Sequence, residues 1–235
     1  MATLYLIRHG QASFGSDDYD KLSALGCRQA EFVGEYFSGQ DIHFDAVYSG
    51  DLLRQRETTE YVLKKQPGAV PHHIDVRFNE IDNDAQLKHI LPIVAEHDER
   101  LRAVVDRGLS SSKDYQKAIE AIFNYWVSPE CNIPQLQSWN EYSCSVHDAL
   151  IELVNRYSSG KTIAIFTSGG TIATIVSLVL GIDSQYVYRF YEPIFNCSIS
   201  QFFYNENKIS LSSFNDCSFL RLLEKQKNEK LVTYR

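Results

Sequence analysis

Seven residues near the amino terminus, Leu4-Tyr5-Leu6-Ile7-Arg8-His9-Gly10, constrain the fold most strongly. Four apolar residues of aromatic and β-branched character read as a short buried strand. The run then breaks into Arg-His-Gly, where the glycine permits a sharp exit of the backbone. In an open α/β sheet, ligands bind in the loops at the carboxyl ends of the strands. A histidine beside an arginine at such a place offers a nucleophile or base next to an anion-binding guanidinium. On these residues alone, an ordinary loop with two polar side chains explains the run equally well.

The chain that follows alternates between helical and strand patterns. Leu22–Ser38 has apolar residues at mostly helical spacing and ends at Ser38-Gly39. Phe44–Tyr48 is the second expected strand, and Asp51–Lys65 a helix stopped by Pro67-Gly68. His73–Phe78 alternates and predicts a third strand. From Asp84 to Tyr157 strand signals are scarce, and helices are predicted over 85–106, 112–127 and 140–157, forming an insertion. Lys161–Thr167 has the composition of a fully buried strand. Ser168-Gly169-Gly170-Thr171 opens an apolar helix that runs to Leu180 and closes at Gly181. Ile194–Tyr204 and Lys208–Phe214 alternate around Asn205-Glu206-Asn207, which predicts a hairpin. The charged stretch Glu224–Lys230 is expected to fray. The expected class is therefore α/β: one domain over residues 1–235, three layers (α/β/α), with a mixed, mostly parallel central sheet.

Composition narrows the functional classes. A content of 44% hydrophobic and 23% charged residues is that of a globular protein. The formal charge of −7 argues against non-specific nucleic-acid binding, which needs a basic face. No apolar run is long enough to cross a bilayer, so no membrane association is expected. The first strand begins almost at Met1, leaving no room for a cleaved leader, and the expectation is a cytoplasmic protein. Five cysteines (27, 131, 144, 197 and 217) are scattered without a Cys-x-x-Cys pair, as free thiols in a reducing compartment would be. His72-His73 has no carboxylate or cysteine pattern around it, and neither metal nor any other cofactor is expected. Ser159-Gly160-Lys161-Thr162 imitates a P-loop, but Asn155 stands where the first glycine belongs, and the segment precedes a strand rather than following one.

Two blocks carry a resemblance. Arg8-His9-Gly10-Gln11-Ala12-Ser13-Phe14 is followed by Leu22-Ser23-Ala24-Leu25-Gly26, and Tyr48-Ser49-Gly50-Asp51-Leu52-Leu53-Arg54 continues to Thr58. Together these resemble the histidine phosphatase superfamily, the phosphoglycerate-mutase-like proteins. The resemblance implies that His9 is a phospho-acceptor and that Arg8 and Arg54 bind phosphate, with Gln11 beside them. Guanidinium suits that role because it matches two phosphate oxygens at once. It also implies an acid/base glutamate just past the third strand, at Glu80, with Asp82 and Asp84 as close rivals. The helical insertion then becomes a lid over the active site. Arg56, His89, His97 and His147 are read as solvated or partly exposed helical side chains.

One feature departs from the family pattern. Ser168 stands where a second pocket histidine is usual. Its hydroxyl can donate to phosphate but brings no positive charge. The helix opening at Gly169-Gly170 offers backbone N–H groups and a positive dipole end to an anion. The leading expectation is a metal-independent phosphomonoester hydrolase acting on a small phosphorylated substrate through phosphohistidine. The alternative is a weakened or inactive protein that binds phosphorylated ligands. A phosphoglycerate mutase ranks third, because Gln11–Asp20 lacks the Trp-Asn that often follows Arg-His-Gly in glycolytic mutases. Oligomeric state is open, with a homodimer through the hairpin edge as one option.

Overall fold

The computed structural model describes residues 1–13, 20–157, 159–206 and 208–234. Phe14 of the first block and Asn207 of the hairpin turn lie outside the described residues. Alternation of side chains along the first strand, β1 (Ala2–Arg8), divides the interior in two. Ala2, Leu4 and Leu6 enter one hydrophobic cluster, while Tyr5 and Ile7 enter another on the opposite face. A strand buried on both faces needs helices above and below it, and the chain supplies them.

Helix α1 (Ala24–Gly39) is capped by Ser23, whose hydroxyl accepts the Gly26 N–H. Strand β2 (Ala46–Ser49) and helix α2 (Leu53–Leu63) follow. Strand β3 covers only His72–Ile74, shorter than the alternation over His73–Phe78 suggests. Asp75 accepts the Arg77 N–H and closes Val76–Phe78 into a 3-10 turn. Val76 is 61% exposed, so the alternating hydrophobicity there does not reflect a buried pleat.

The insertion is helical, but its first stretch is broken. In place of one helix over 85–106 stand α3 (Asn83–His89), α4 (Leu91–His97) and α5 (Glu99–Asp106). The proline at 92 begins α4, and Asp98 accepts the Arg100 and Leu101 N–H groups to begin α5. Helices α6 (Ser112–Trp126) and α7 (Trp139–Arg156) lie where periodicity places them, α7 starting from a Ser138/Glu141 capping box. Ile122, Phe123, Trp126 and Leu150 of these helices share one cluster with Leu4, Leu6 and Ile165 of the sheet.

Strand β4 (Thr162–Thr167) leads into α8 (Gly169–Leu180), which Gly181 terminates in the left-handed region at φ 64°. A short helix α9 (Tyr188–Tyr191) precedes the hairpin strands β5 (Ile199–Asn205) and β6 (Lys208–Asp216). Among the described residues six strands order as β3-β2-β4-β1-β5-β6. β1 to β4 run parallel, and β5 joins β1 antiparallel. The carboxyl ends of β1, β2 and β4 thus open side by side on one edge. Residues 194–198, expected as strand, instead form a loop at that edge.

The carboxyl-terminal stretch corrects the expectation of fraying. Ser218–Lys227 forms a helix, α10, and the segment after it is docked. Glu224 Oε1 accepts the N–H groups of Leu231 and Val232, and Leu231 is fully buried. Gln29, buried on α1, donates through Nε2 to the Leu231 carbonyl and Thr233 Oγ1, while its Oε1 accepts the Gln11 N–H. Gln29→Ala would leave buried groups unsatisfied, at about 1–3 kcal/mol for each group stranded. Urea denaturation is expected to show a loss of about 2–4 kcal/mol, with new proteolytic cleavage near residues 229–234. A loss within about 0.5 kcal/mol, the range of neutral surface changes, would show that Gln29 does not hold the segment.

Candidate active site

His9 leaves β1 with its backbone still in the sheet, its N–H donating to the Thr167 carbonyl at 2.9 Å. Its ring is buried and lies with Nδ1 2.7 Å from the Gly10 carbonyl oxygen. A carbonyl only accepts, so Nδ1 carries the proton. Arg54 Nε donates to Nε2 at 3.3 Å, which requires a lone pair there. Both contacts assign the same neutral tautomer. Burial, then the charges of Arg54 and Arg8, hold the imidazole well below its usual range, against the opposing pull of the Gly10 bond.

The turn carrying His9 is built on close backbone approach. A Cβ at Gly10 would lie 2.5 Å from the Gly26 carbonyl oxygen, so only glycine fits. Thr58 of α2 accepts the Gly10 N–H at 3.0 Å and itself donates to the Arg54 carbonyl. The helix that presents Arg54 therefore also holds the histidine turn. Asp20 accepts from Arg54 Nη1 at 2.5 Å and from the Leu53 N–H at 2.7 Å, so one carboxylate both orients the guanidinium and caps α2. Arg8 is anchored through Nη1 to the carbonyls of Ile194 and Tyr234. Asn196 donates to the His9 carbonyl and accepts from Thr233.

Glu80 reaches the site from the loop after the 3-10 turn. Its Oε1 accepts the Ile81 and Gly170 N–H groups, each at 3.0 Å. A Cβ at Gly170 would stand 2.3 Å from that oxygen, which explains the second glycine of the pair. The same loop is stitched to β4 and α8: Thr167 donates to the Phe78 carbonyl, and Thr171 to that of Asn79. Burial raises the Glu80 carboxyl above its usual range and prevails over the lowering by Arg54, Arg8 and the two N–H groups. A carboxyl with raised affinity for its proton and an imidazole with lowered affinity thus face the same pair of guanidinium groups.

Arg8, His9, Arg54 and Glu80 all line one cavity of about 680 Å³. The other expected residues are placed differently. Gln11 accepts from the Ser23 hydroxyl at 3.0 Å and supports the turn rather than the cavity wall. Gly169 packs beneath the Tyr191 ring, and the Gly170 N–H, expected to face an external anion, holds the protein's own Glu80. Ser168 is fully buried behind the wall, its hydroxyl accepting from Gln55 Nε2 at 2.8 Å. Gln55 fills the space beside it and also donates to the Phe78 carbonyl.

Sequence reasoning did not single out Asp20, Asn196, Tyr191 or Tyr234, which reach the cavity from distant parts of the chain. Of the aromatic residues in the insertion, Tyr115 lines the cavity. Trp126 and Trp139 pack against each other at 5.4 Å, and the Tyr142 hydroxyl bonds to Thr171 and Asn79 behind Glu80. His147 is exposed near Asp148. Among the described residues no cluster of His, Cys, Asp and Glu could hold a metal ion, and no helix is long and apolar enough to cross a membrane.

Comparisons with known proteins bear on the family and the fold. The family described as Histidine phosphatase superfamily (branch 1) matches residues 4–105 and 91–217. A broad-specificity phosphatase of Saccharomyces cerevisiae is 41% identical over 68 residues, which are 26% of this chain and 29% of that protein. The mitochondrial serine/threonine-protein phosphatase Pgam5 of Drosophila simulans is 34% identical over 92 residues, 38% of this chain and 29% of that protein. The match spans under a third of the length of these curated relatives. Among solved structures, a phosphoserine phosphatase of Entamoeba histolytica bound to phosphoserine is similar at a TM-score of 0.65 and 21% identity, covering 94% of this chain and all of that one. A phosphoglycerate mutase of Bacillus anthracis is similar at 0.66 and 19%, covering 94% and 95%. At these identities the likeness is one of fold.

The packing at Ser168 makes a prediction. Ser168→His forces an imidazole against Gln55 and is expected to destabilise by about 1–3 kcal/mol, as overpacked cores do. Gln55→Ala in the same chain is expected to relieve most of that. A double-mutant cycle in urea measures the coupling, and independent, additive effects would show that the two side chains do not share this space.

Proposed function

The chain belongs to the histidine phosphatase superfamily, and on that footing we propose that it is a metal-independent phosphomonoester hydrolase working through a phosphohistidine on His9. The observation that carries the reading is the His9 ring: neutral, protonated on Nδ1, with the Nε2 lone pair beside the Arg54 guanidinium. A phosphoryl group drawn to Arg8 and Arg54 would meet that lone pair.

In the proposed reaction, Nε2 attacks phosphorus in line as the ester P–O bond breaks. Glu80, protonated, gives its proton to the departing alkoxide. Water then attacks the phosphohistidine, the P–N bond breaks, and the Glu80 carboxylate takes the water's proton. Phosphate leaves, and His9 and Glu80 return to their starting states. Arg8 and Arg54 offset charge on the equatorial oxygens throughout. The relatives named for phosphatase activity support the class, and the phosphoserine-bound structure supports a small phosphorylated substrate.

A second reading has its own observation. Ser168 brings no cation, and its hydroxyl is engaged by Gln55. A protein that holds phosphorylated ligands without turnover would be stabilised by them in proportion to occupancy and would release no phosphate.

The pH dependence separates these and tests the roles. His9 must be deprotonated to attack, and its affinity for a proton is lowered from an ordinary value of 6.5, so the acid limb of kcat/KM is expected below pH 6.5. Glu80 must be protonated to donate, and its affinity is raised from 4.5, so the alkaline limb is expected above pH 4.5. Glu80→Gln is expected to remove that limb and slow alkyl phosphates about 10²–10⁴-fold, with a smaller effect on p-nitrophenyl phosphate, whose leaving group needs no proton. His9→Ala is expected to abolish turnover. Undiminished activity in His9→Ala, or an acid limb at or above pH 6.5, would refute the assignment of the nucleophile.

A further inference from the structure

The cavity is far larger than a phosphate, and its remaining walls describe what the phosphate is attached to. A volume of about 680 Å³ falls in the range of sites that enclose a whole small molecule. Beyond Arg8, His9 and Arg54, two elements of the insertion and its neighbour form a ring-lined wall: Tyr115 and Ile119 from α6, Tyr188 and Tyr191 from α9. These rings are held in place. The Tyr188 hydroxyl donates to the Gln116 carbonyl, Tyr191 bonds to Asn83, and the Tyr191 ring lies 3.0 Å from where a Cβ of Gly169 would stand.

Charge on the exposed part of the wall has one sign. Asp82, Asp84 and Glu192, each exposed, line the cavity, and among its described lining residues the only Lys, Arg or His are Arg8, His9 and Arg54 of the phosphate end. Asp82 caps α3, and Asp84 sits in its first turn, so helix stability accounts for part of that acidity. Glu192 has no such account. It stands at the carboxyl end of α9, where a negative charge gains nothing from the helix, and Gln116 of α6 donates to its Oε1. The two helices that supply the tyrosines thus also tether a carboxylate beside them.

From this juxtaposition we infer that the leaving group is a flat aromatic alcohol whose far end is cationic or neutral, and that carboxylated phosphoesters are rejected. The inference rests on the phosphoester reading above and adds the substrate class to it. Rings stack on the tyrosine wall, an ammonium is attracted both by the carboxylates and by the ring faces, and a carboxylate would be repelled from the acidic end. The preference is electrostatic, so it weakens as salt screens it.

The test uses three esters of one phenol frame, so that leaving-group chemistry is matched: tyramine phosphate, 4-ethylphenyl phosphate, and the phosphate of 3-(4-hydroxyphenyl)propanoate. A fourth, 2-aminoethyl phosphate, carries the ammonium without the ring. Turnover is read as kcat/KM on the wild-type protein. Dissociation constants are read by calorimetry on His9→Ala, with His9→Asn as the second variant where alanine lowers stability.

The expected order is ammonium above ethyl above carboxylate, with at least a tenfold span that shrinks with added salt. The ratio of ammonium to carboxylate is expected to narrow in Asp84→Asn/Glu192→Gln. The 2-aminoethyl ester is expected to bind at least tenfold more weakly than tyramine phosphate. Equal or better handling of the carboxylated ester overturns the inference, as does a ratio unmoved by the double variant. Equal binding of 2-aminoethyl phosphate overturns its aromatic part. No phosphate release from any ester, with the order of dissociation constants kept, defeats the hydrolase and leaves the ligand class standing. No binding by any of the four defeats the ligand class as well.

Discussion

The hydrogen bond from His9 Nδ1 to the carbonyl of its own neighbour, Gly10, is the contact on which the site depends. It selects the tautomer, and with it the direction in which the ring can react. The bond is available only because the backbone turns immediately after β1, and the turn exists only because Gly10 and Gly26 approach without side chains. Thr58 then fixes the turn from α2, the helix that also carries Arg54. The imidazole, the guanidinium beside it and the turn that supports them are therefore one mechanical unit made from the end of β1 and the helices α1 and α2.

The opposing group is placed by a different device. Glu80 is held by the Gly170 amide in the first turn of α8, where the helix dipole favours a carboxylate, and by the N–H of Ile81 beside it. That arrangement makes the helix end a clamp for a side chain rather than a seat for an outside anion. It also explains how a carboxyl can accept two N–H bonds and still hold its proton unusually well: removal from water outweighs them. Ser168 and Gln55 lie behind this clamp, filling the interior with a polar pair where a larger ring would crowd the wall.

How much of this was legible depended on the range of the forces involved. His9 and Arg54 follow from local pattern, since each sits at the end of a buried strand or the start of the helix after it, and the spacing carries the geometry. The α/β class and the mixed sheet follow for the same reason. Asp20, Asn196 and Tyr191 had no such signal, because each is brought in by a tertiary return of the chain. The alternation at His73–Phe78 misled because an exposed edge with a 3-10 turn can carry a two-residue period without burying it. The segment at 224–234 misled through composition: charge suggested fraying, whereas the fully buried Leu231 and the hydrogen bonds of Glu224 and Gln29 dock it. Gln11, Ser168 and Gly169 have the protein's own groups as side-chain or packing partners, which no local pattern announces.

The contact between Arg8 and the Tyr234 carbonyl spans 226 positions of sequence. The entropy of closing a loop grows only slowly with its length, so pairing β1 with β4 and β5 costs nearly as much as this link. The parallel pairings of β1, β2 and β4 close shorter loops and can form without it. The chain can therefore reach a native-like sheet, with its histidine turn in place, before Tyr234 arrives at Arg8. Kinetically, a folded molecule and a competent one are then separate milestones.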